Sequence, residues 1–99
     1  MRRIIWAQSA QADYLAILRY IAADDPDAAE RVADAIQKTG EDLAAFATGH
    51  PGRIGGTYEK SVPRIPYVLA YSLTDKDQTV AILRVIHAAR EWNEGQWPA

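Results

Sequence analysis

The sequence predicts an α+β domain with the element order β-α-α-β-β-β, in which a helical hairpin packs on one face of a mainly antiparallel sheet. The hairpin is predicted because apolar residues recur every three to four positions between residues 10 and 47. The sheet is predicted because this period changes to two between residues 57 and 87. With 99 residues and 48% hydrophobic content, we expect residues 1–99 to form a single domain.

The beginning of the chain predicts a short strand followed by a helix. Residues 2–6 contain β-branched and aromatic side chains, which favour a strand. Ser9 is of a type that often caps a helix N-terminus, and apolar residues follow it at helical spacing. We therefore expect the first helix to be capped by Ser9 and to end near Asp24.

A second helix is predicted to start at the pair Asp25 and Pro26. An aspartate can accept hydrogen bonds from free amides of the first turn, and proline fits the first helical position because it has no N–H to satisfy. The apolar stripe continues to about residue 48, where Gly49 and the breaker 50–52 follow. Gly40 lies inside this stripe and is a possible site of a kink.

The second half of the chain predicts three antiparallel strands. Residues 57–62, 67–73 and 80–87 alternate, and Asp75-Lys76-Asp77 provides a polar turn between the last two. Both faces of these last two strands are largely apolar. Because two helices cannot cover both faces of a four-stranded sheet, we expect a partly open apolar face that binds a partner.

Composition excludes several classes of function. The chain contains no cysteine, which excludes disulfides, cysteine-based zinc sites and a thiol nucleophile. His50 and His87 lack a second ligand at metal spacing, so we expect no metal and no cofactor. No run of about 20 apolar residues is present, and polar residues interrupt the N-terminus early. We expect a leaderless, cytoplasmic protein without a membrane span.

The net charge of −2 is distributed unevenly along the chain. Residues 1–49 carry a net charge of −3, whereas residues 50–90 carry +3. This basic excess is smaller than that of a typical nucleic-acid-binding protein. The second half nevertheless suits an acidic partner.

A cluster of polar side chains around the end of the last strand is the candidate functional site. Its members are Arg84, His87, Arg90, Glu91 and Trp92, joined by Arg64 and Tyr67. Arginine binds phosphate or carboxylate, and histidine can transfer protons, so the cluster could support RNA cleavage. Structural roles are the alternative: Arg84 could pair with Glu59 across the sheet, and His87 could simply be hydrogen-bonded.

Four stretches of the sequence resemble the ParE/RelE toxin superfamily, which includes plasmid stabilisation proteins. They are residues 5–10 (IWAQSA), 56–59 (GTYE), 66–71 (PYVLAY) and 82–92 (ILRVIHAAREW). The resemblance extends over nearly the whole chain and rests on the ordered set of stretches. It implies the ParE/RelE-like fold.

Within this superfamily, the sequence is closer to ParE-like than to RelE-like members. RelE-like toxins cleave messenger RNA in the ribosome, with lysines on the second strand, an arginine on the third and an arginine after the last. The ungapped comparison puts Glu59 and Ser61 at the lysine positions and Val68 at the first arginine, and only Arg90 matches. No tyrosine follows Tyr71 to match the family's catalytic tyrosine.

The resemblance implies growth arrest by binding DNA gyrase, which is the activity known for ParE-like members, with no catalytic residue. The alternative is a ribosome-dependent mRNA endoribonuclease that uses Arg64, His87 and Arg90. A third possibility is a non-toxic interaction module that has kept the fold.

The resemblance also implies a cognate antitoxin, which alone would contact operator DNA. We assign the antitoxin contact to Tyr67, Leu69, Tyr71 and Arg64. The target contact is assigned to the C-terminal cluster, Arg84, His87, Arg90, Glu91 and Trp92.

Overall fold

A computed structural model describes residues 1–88 of the chain. The helices are α1 (Gln8–Ala22) and α2 (Pro26–Ala45), and the strands are β1 (Arg3–Trp6), β2 (His50–Pro51), β3 (Tyr58–Ser61), β4 (Tyr67–Thr74) and β5 (Thr79–His87). The strands form one sheet in the order β1-β5-β4-β3-β2. β1 is parallel to β5, and the other neighbouring pairs are antiparallel. The predicted α+β class is confirmed.

β2 is a strand that the sequence analysis did not predict. His50 pairs with Glu59 and Pro51 pairs with Tyr58, at the edge of the sheet. Proline is tolerated there because an edge strand has one side without ladder partners. Two residues are too few for an alternating pattern, so the sequence indicated only a break.

α1 begins at Gln8, and Ser9 is not its cap. Ala7 occupies the N-cap position without a side-chain hydrogen bond. The hydroxyl of Ser9 instead donates to the carbonyl oxygen of Leu83 in β5, at 2.7 Å. The predicted cap is wrong because a tertiary hydrogen bond takes the hydroxyl. The helix ends at Ala22, close to the expected position.

α2 begins as predicted and continues without a break through Gly40. The Asp25 carboxylate accepts a hydrogen bond from the Ala28 amide at 3.1 Å, and Pro26 is the first helical residue. The helix ends at Ala45, three residues before the expected end, because Phe46 adopts an extended conformation with φ −137°.

Gly40 does not kink α2 but leaves space for the side chains that pack against it. A Cβ atom at this position would lie 2.5 Å from Cζ2 of Trp6 and 3.1 Å from Cδ1 of Ile82. The absence of a side chain therefore lets α2 lie directly against the β1 tryptophan. This contact joins the second helix to the sheet.

One face of the sheet packs against the helices to form the core. The core cluster comprises Ala10, Ile36, Leu43, Val62, Leu69, Tyr71, Val80, Ile82 and Val85. On β4 and β5 the strand register places Leu69 opposite Val85 and Tyr71 opposite Ile82. Alternation along each strand directs the intervening residues to the other face.

The other face of the sheet is not bare, which corrects the expected open surface. Val68, Ala70 and Ile86 alternate with the core residues, yet they are only 6%, 0% and 1% exposed. Part of this face is covered by the loop before β3, whose Arg53 lies on Glu59 beside Ala70. The face is open near β1, where Ile5 is 44% exposed.

Neither helix in residues 1–88 is long and apolar enough to cross a membrane.

Candidate functional site

Two residues of the predicted cluster meet at one end of the sheet, and a third lies in the connector that leads to it. Tyr67 at the start of β4 pairs with His87 at the end of β5, and their rings meet edge to face with centroids 5.5 Å apart. The Ala88 amide donates to the Pro66 carbonyl at 2.8 Å, which extends the pairing beyond the strand. Arg64 lies exposed in the connector to β4, with φ +70°.

Arg84 does not pair with Glu59 but forms an ion pair with Asp13 of α1. Its Nε lies 2.7 Å from Asp13 Oδ2, and its Nη2 lies 2.9 Å from Oδ1, so the contact is bidentate. Oδ2 also accepts the Val85 backbone amide at 3.0 Å. The two charged side chains are 16% and 18% exposed. The alternative of a cross-strand pair with Glu59 is therefore wrong, because α1 supplies the carboxylate that Arg84 binds.

Ser9 and Asp13 form hydrogen bonds with backbone groups at the edge of β5. The ladder with β1 ends where Trp6 pairs with Ile82, and within residues 1–88 no strand pairs with the following part of β5 on that side. There, Ser9 binds the Leu83 carbonyl and Asp13 binds the Val85 amide. Helix side chains thus replace ladder hydrogen bonds that a sheet edge leaves open.

The sequence analysis missed this role, although it contained a signal. Ser9 and Asp13 are four residues apart and so lie on the same face of α1. Two short polar side chains on the side of a helix that packs on a sheet indicate hydrogen bonds to backbone. The sequence could not identify the strand that they bind.

A second buried ion pair fixes the loop before β3. Glu59 is 5% exposed and accepts hydrogen bonds from the backbone N and the Nε of Arg53, both at 2.9 Å, and from Nη2 at 3.1 Å. Burial alone would raise the pKa of Glu59. The hydrogen bonds and charge of Arg53, with a contribution from His50, outweigh burial and lower the pKa below its ordinary value of 4.5.

The remaining predicted target contacts, Arg90, Glu91 and Trp92, lie outside the described residues. Within residues 1–88, no group of three or more His, Asp or Glu side chains is arranged to hold a metal ion.

Comparison with known families identifies the chain. The family model for the ParE toxin of the type II toxin–antitoxin system parDE matches residues 4–92. The chain belongs to the ParE toxin family. The ParE/RelE resemblance inferred from four short stretches is thereby confirmed.

Two named relatives cover most of this ParE-family chain. The putative toxin Y4kP of Sinorhizobium fredii is 40% identical over 92 residues, which are 92% of this chain and 93% of the relative. The toxin RelE2 of Caulobacter vibrioides is 35% identical over 91 residues, which are 91% of this chain and 99% of the relative. Both relatives are thus named as toxins, and one of them carries a RelE name.

Two solved structures share the fold. The chromosomal ParDE toxin–antitoxin system of P. aeruginosa contains a chain that matches with a TM-score of 0.80 and 22% identity, over 88% of this chain and 96% of that one. The RelBE2 toxin–antitoxin complex of Mycobacterium tuberculosis matches with a TM-score of 0.60 and 26% identity, over 87% and 96%.

In this ParE-family chain, the positions compared with RelE lysines and arginine carry no cation. Glu59 is buried under Arg53, Ser61 is exposed, and Val68 is buried beside Ile86. A buried carboxylate and a buried valine cannot stabilise a phosphate that gains negative charge.

Two of the four residues assigned to antitoxin binding lie in the core. Leu69 and Tyr71 are 0% exposed and belong to the core cluster that packs against the helices. Burial raises the pKa of Tyr71, whose ring stacks on Tyr58 at 5.6 Å. This corrects the assignment for these two residues. Tyr67 is half-buried and Arg64 is exposed.

Proposed function

We propose that this chain is a toxin that arrests growth by binding and inhibiting DNA gyrase, and that a cognate antitoxin neutralises it. The proposal rests on Glu59, whose carboxylate is buried and forms an ion pair with Arg53. The ungapped comparison puts this residue at a position where RelE-like toxins have a lysine. Together with membership of the ParE family, this favours a binding toxin over a nuclease.

The charge at Glu59 acts against RNA cleavage. A nuclease stabilises the extra negative charge of the phosphate in the transition state with cations. Glu59 supplies a negative charge, and Arg53 is already engaged in neutralising it. Reversing the sign at this point would raise the barrier to cleavage.

We assign target binding to the end of β5 and the residues that follow it. His87 is exposed there, and Arg90, Glu91 and Trp92 come next in the sequence. Arg84 is held by Asp13, so its contribution is to fix β5 directly before this surface. The assignment of these five residues stays a prediction.

A supercoiling assay tests the target. Purified protein at micromolar concentration should inhibit supercoiling by DNA gyrase and increase the amount of cleaved DNA trapped with it. His87→Ala should weaken both effects. Lys38→Ala changes an exposed side chain of α2 and serves as the control. Unchanged supercoiling with the wild-type protein would show that gyrase is not the target.

The second candidate is a ribosome-dependent mRNA endoribonuclease. It is favoured by the position of Arg64 and His87, which lie at the same end of the sheet and are both exposed. With Arg90, these residues would supply cations and a proton-transfer group. Primer extension on messenger RNA from expressing cells decides between the candidates. Cleavage that is lost in Arg64→Ala and His87→Ala would establish the nuclease.

The antitoxin is proposed because both structural neighbours come from toxin–antitoxin systems. In this proposal, operator DNA is contacted only by the antitoxin, and the toxin acts in the cytoplasm. Strong expression without antitoxin should stop growth. Normal growth would favour the third reading, a fold kept as a non-toxic interaction module.

A further inference from the structure

β5 contains one residue more than the part of β4 with which it pairs. Tyr71 of β4 pairs with Ile82. The preceding residue, Ala70, pairs with Arg84, so Leu83 has no partner residue in β4. An extra residue on one strand of an antiparallel pair is a β-bulge, and bulges change the direction of the side chains that follow them. This bulge lies shortly before the end of β5.

The bulge decides which face of the sheet carries His87. Before it, Ile82 belongs to the core cluster, and after it Val85 does, so the alternation shifts by one residue. A strand without the bulge would put Arg84 on the core face and His87 on the opposite face. With the bulge, His87 lies opposite Tyr67, which packs against the core, and the two ring centroids are 5.5 Å apart.

Side chains of α1 bind the bulge and the two residues after it. The Ser9 hydroxyl donates to the Leu83 carbonyl at 2.7 Å. The Asp13 carboxylate binds the Arg84 guanidinium through both oxygens and accepts the Val85 amide at 3.0 Å. A bulge interrupts the ladder, so its backbone groups need partners from elsewhere. These partners come from α1, and the helix thereby holds the bulge in place.

Asp13 contributes more to this contact than Ser9. Its carboxylate accepts from a guanidinium as well as from a backbone amide, and hydrogen bonds between charged groups are the stronger kind. The side chains of Asp13 and Arg84 are 18% and 16% exposed, so water and salt screen the pair less than an exposed one. Loss of Asp13 should therefore loosen the bulge, whereas loss of the Ser9 hydroxyl leaves most of the contact.

We propose that Asp13 is a positioning residue for the target-binding surface at the end of β5. By holding the bulge, it keeps His87 against Tyr67 on the face that packs against the helices. This inference rests on the proposed function, in which His87 contacts the target. α1 contributes to target binding in this way, although Asp13 does not itself touch the target.

Two measurements on the full chain compare Asp13→Ala with wild type. The first is the toxin concentration that halves supercoiling by DNA gyrase, which should rise by about tenfold or more. The second is NMR spectroscopy, in which the ring protons of His87 should lose their NOE contacts to Tyr67. A side chain that only adds stability would not change this second signal in the folded protein.

Asp25→Ala is the matched control, because it also removes a carboxylate that accepts a backbone amide, but at the start of α2. It should leave the half-inhibitory concentration within about twofold of wild type and keep the NOE contacts between His87 and Tyr67. Equal losses in the Asp13 and Asp25 variants would assign the effect to general stability and overturn the proposal.

The proposal is wrong if Asp13→Ala keeps the ring contact, or if it loses the contact but inhibits gyrase as well as wild type does. If wild type does not inhibit gyrase, the proposed function fails, and the NMR comparison still decides whether Asp13 positions His87. If Asp13→Ala does not fold, Asp13→Asn takes its place, since it removes the charge and keeps the size of the side chain. It should weaken the ring contact, and a contact equal to that of wild type would contradict the proposal.

Discussion

Asp13 and Arg84, 71 positions apart in sequence, form a bidentate ion pair that ties the first helix to the last strand. The same carboxylate accepts the amide of Val85, so it binds both a side chain and the backbone of β5. The contact lies where the β1 ladder has ended. Asp13 therefore fixes the part of β5 that leads directly to His87.

We expect Asp13→Ala to destabilise the fold by about 2–3 kcal/mol, because it leaves a partly buried guanidinium and an amide without their acceptor. Arg84→Ala should cost less, since the Val85 amide keeps its partner. Urea unfolding of both variants and of the double variant measures the coupling. Strictly additive losses would show that the two side chains do not interact.

Gly40→Ala should destabilise the protein although alanine favours helices. Alanine in a helix is preferred over glycine by about 1 kcal/mol. Here, however, the added Cβ would meet the Trp6 ring at 2.5 Å, and the backbone of α2 would have to move. We expect a net loss of about 1–3 kcal/mol by thermal or urea unfolding.

Gly55→Ala is the control for this steric argument, because a Cβ there has no heavy atom within 4 Å. It should change stability by less than about 0.5 kcal/mol. A stabilised Gly40→Ala protein would mean that the helix can move away from Trp6 without cost.

The turn between β4 and β5 should be stabilised by a glycine. Asp75, Lys76 and Asp77 all have positive φ, at 53°, 54° and 66°. A residue with a side chain pays about 1–2 kcal/mol in this region, which glycine avoids. We expect Lys76→Gly to raise the free energy of unfolding by about 0.5–1 kcal/mol, measured by urea denaturation.

Lys38→Gly should change the free energy of unfolding in the opposite direction, because Lys38 is an exposed residue in the interior of α2. Glycine there should destabilise by about 1 kcal/mol. Equal losses in both variants would contradict the strain at Lys76.

Stability should fall in acid because of Glu59. Its pKa in the folded state lies below the ordinary value of 4.5, so its contribution is complete above that pH. The contribution is lost as the pH falls through the lower, folded-state pKa. The free energy of unfolding of wild type should therefore decrease below about pH 4.5.

Glu59→Gln removes the titrating group while keeping its shape, so it should be less stable than wild type at pH 7 and should depend less on pH in acid. Urea unfolding between pH 3 and 7 makes the comparison. Parallel pH profiles for the two proteins would mean that other carboxyl groups cause the acid loss.

The sequence by itself determined the order of the helices and of every strand except β2, because each of these elements has a local signal. Asp25 and Pro26 mark the start of α2 through caps and turn chemistry, and the change of period separates helices from strands. Four short stretches of the sequence were also enough to predict the family. The prediction of a bare sheet face was wrong for β4, since the cover of Ala70 comes partly from a loop whose path no local pattern encodes.

Only the tertiary structure decided which charged and polar side chains meet. The sequence contained Asp13, Arg53, Glu59 and Arg84, but partner choice depends on which strand ends are uncovered and on which loop crosses them. It likewise decided that Ser9 binds β5 instead of capping α1. The physical reason is that hydrogen bonds and ion pairs act over a few ångströms, and those distances between remote residues exist only after the chain has folded.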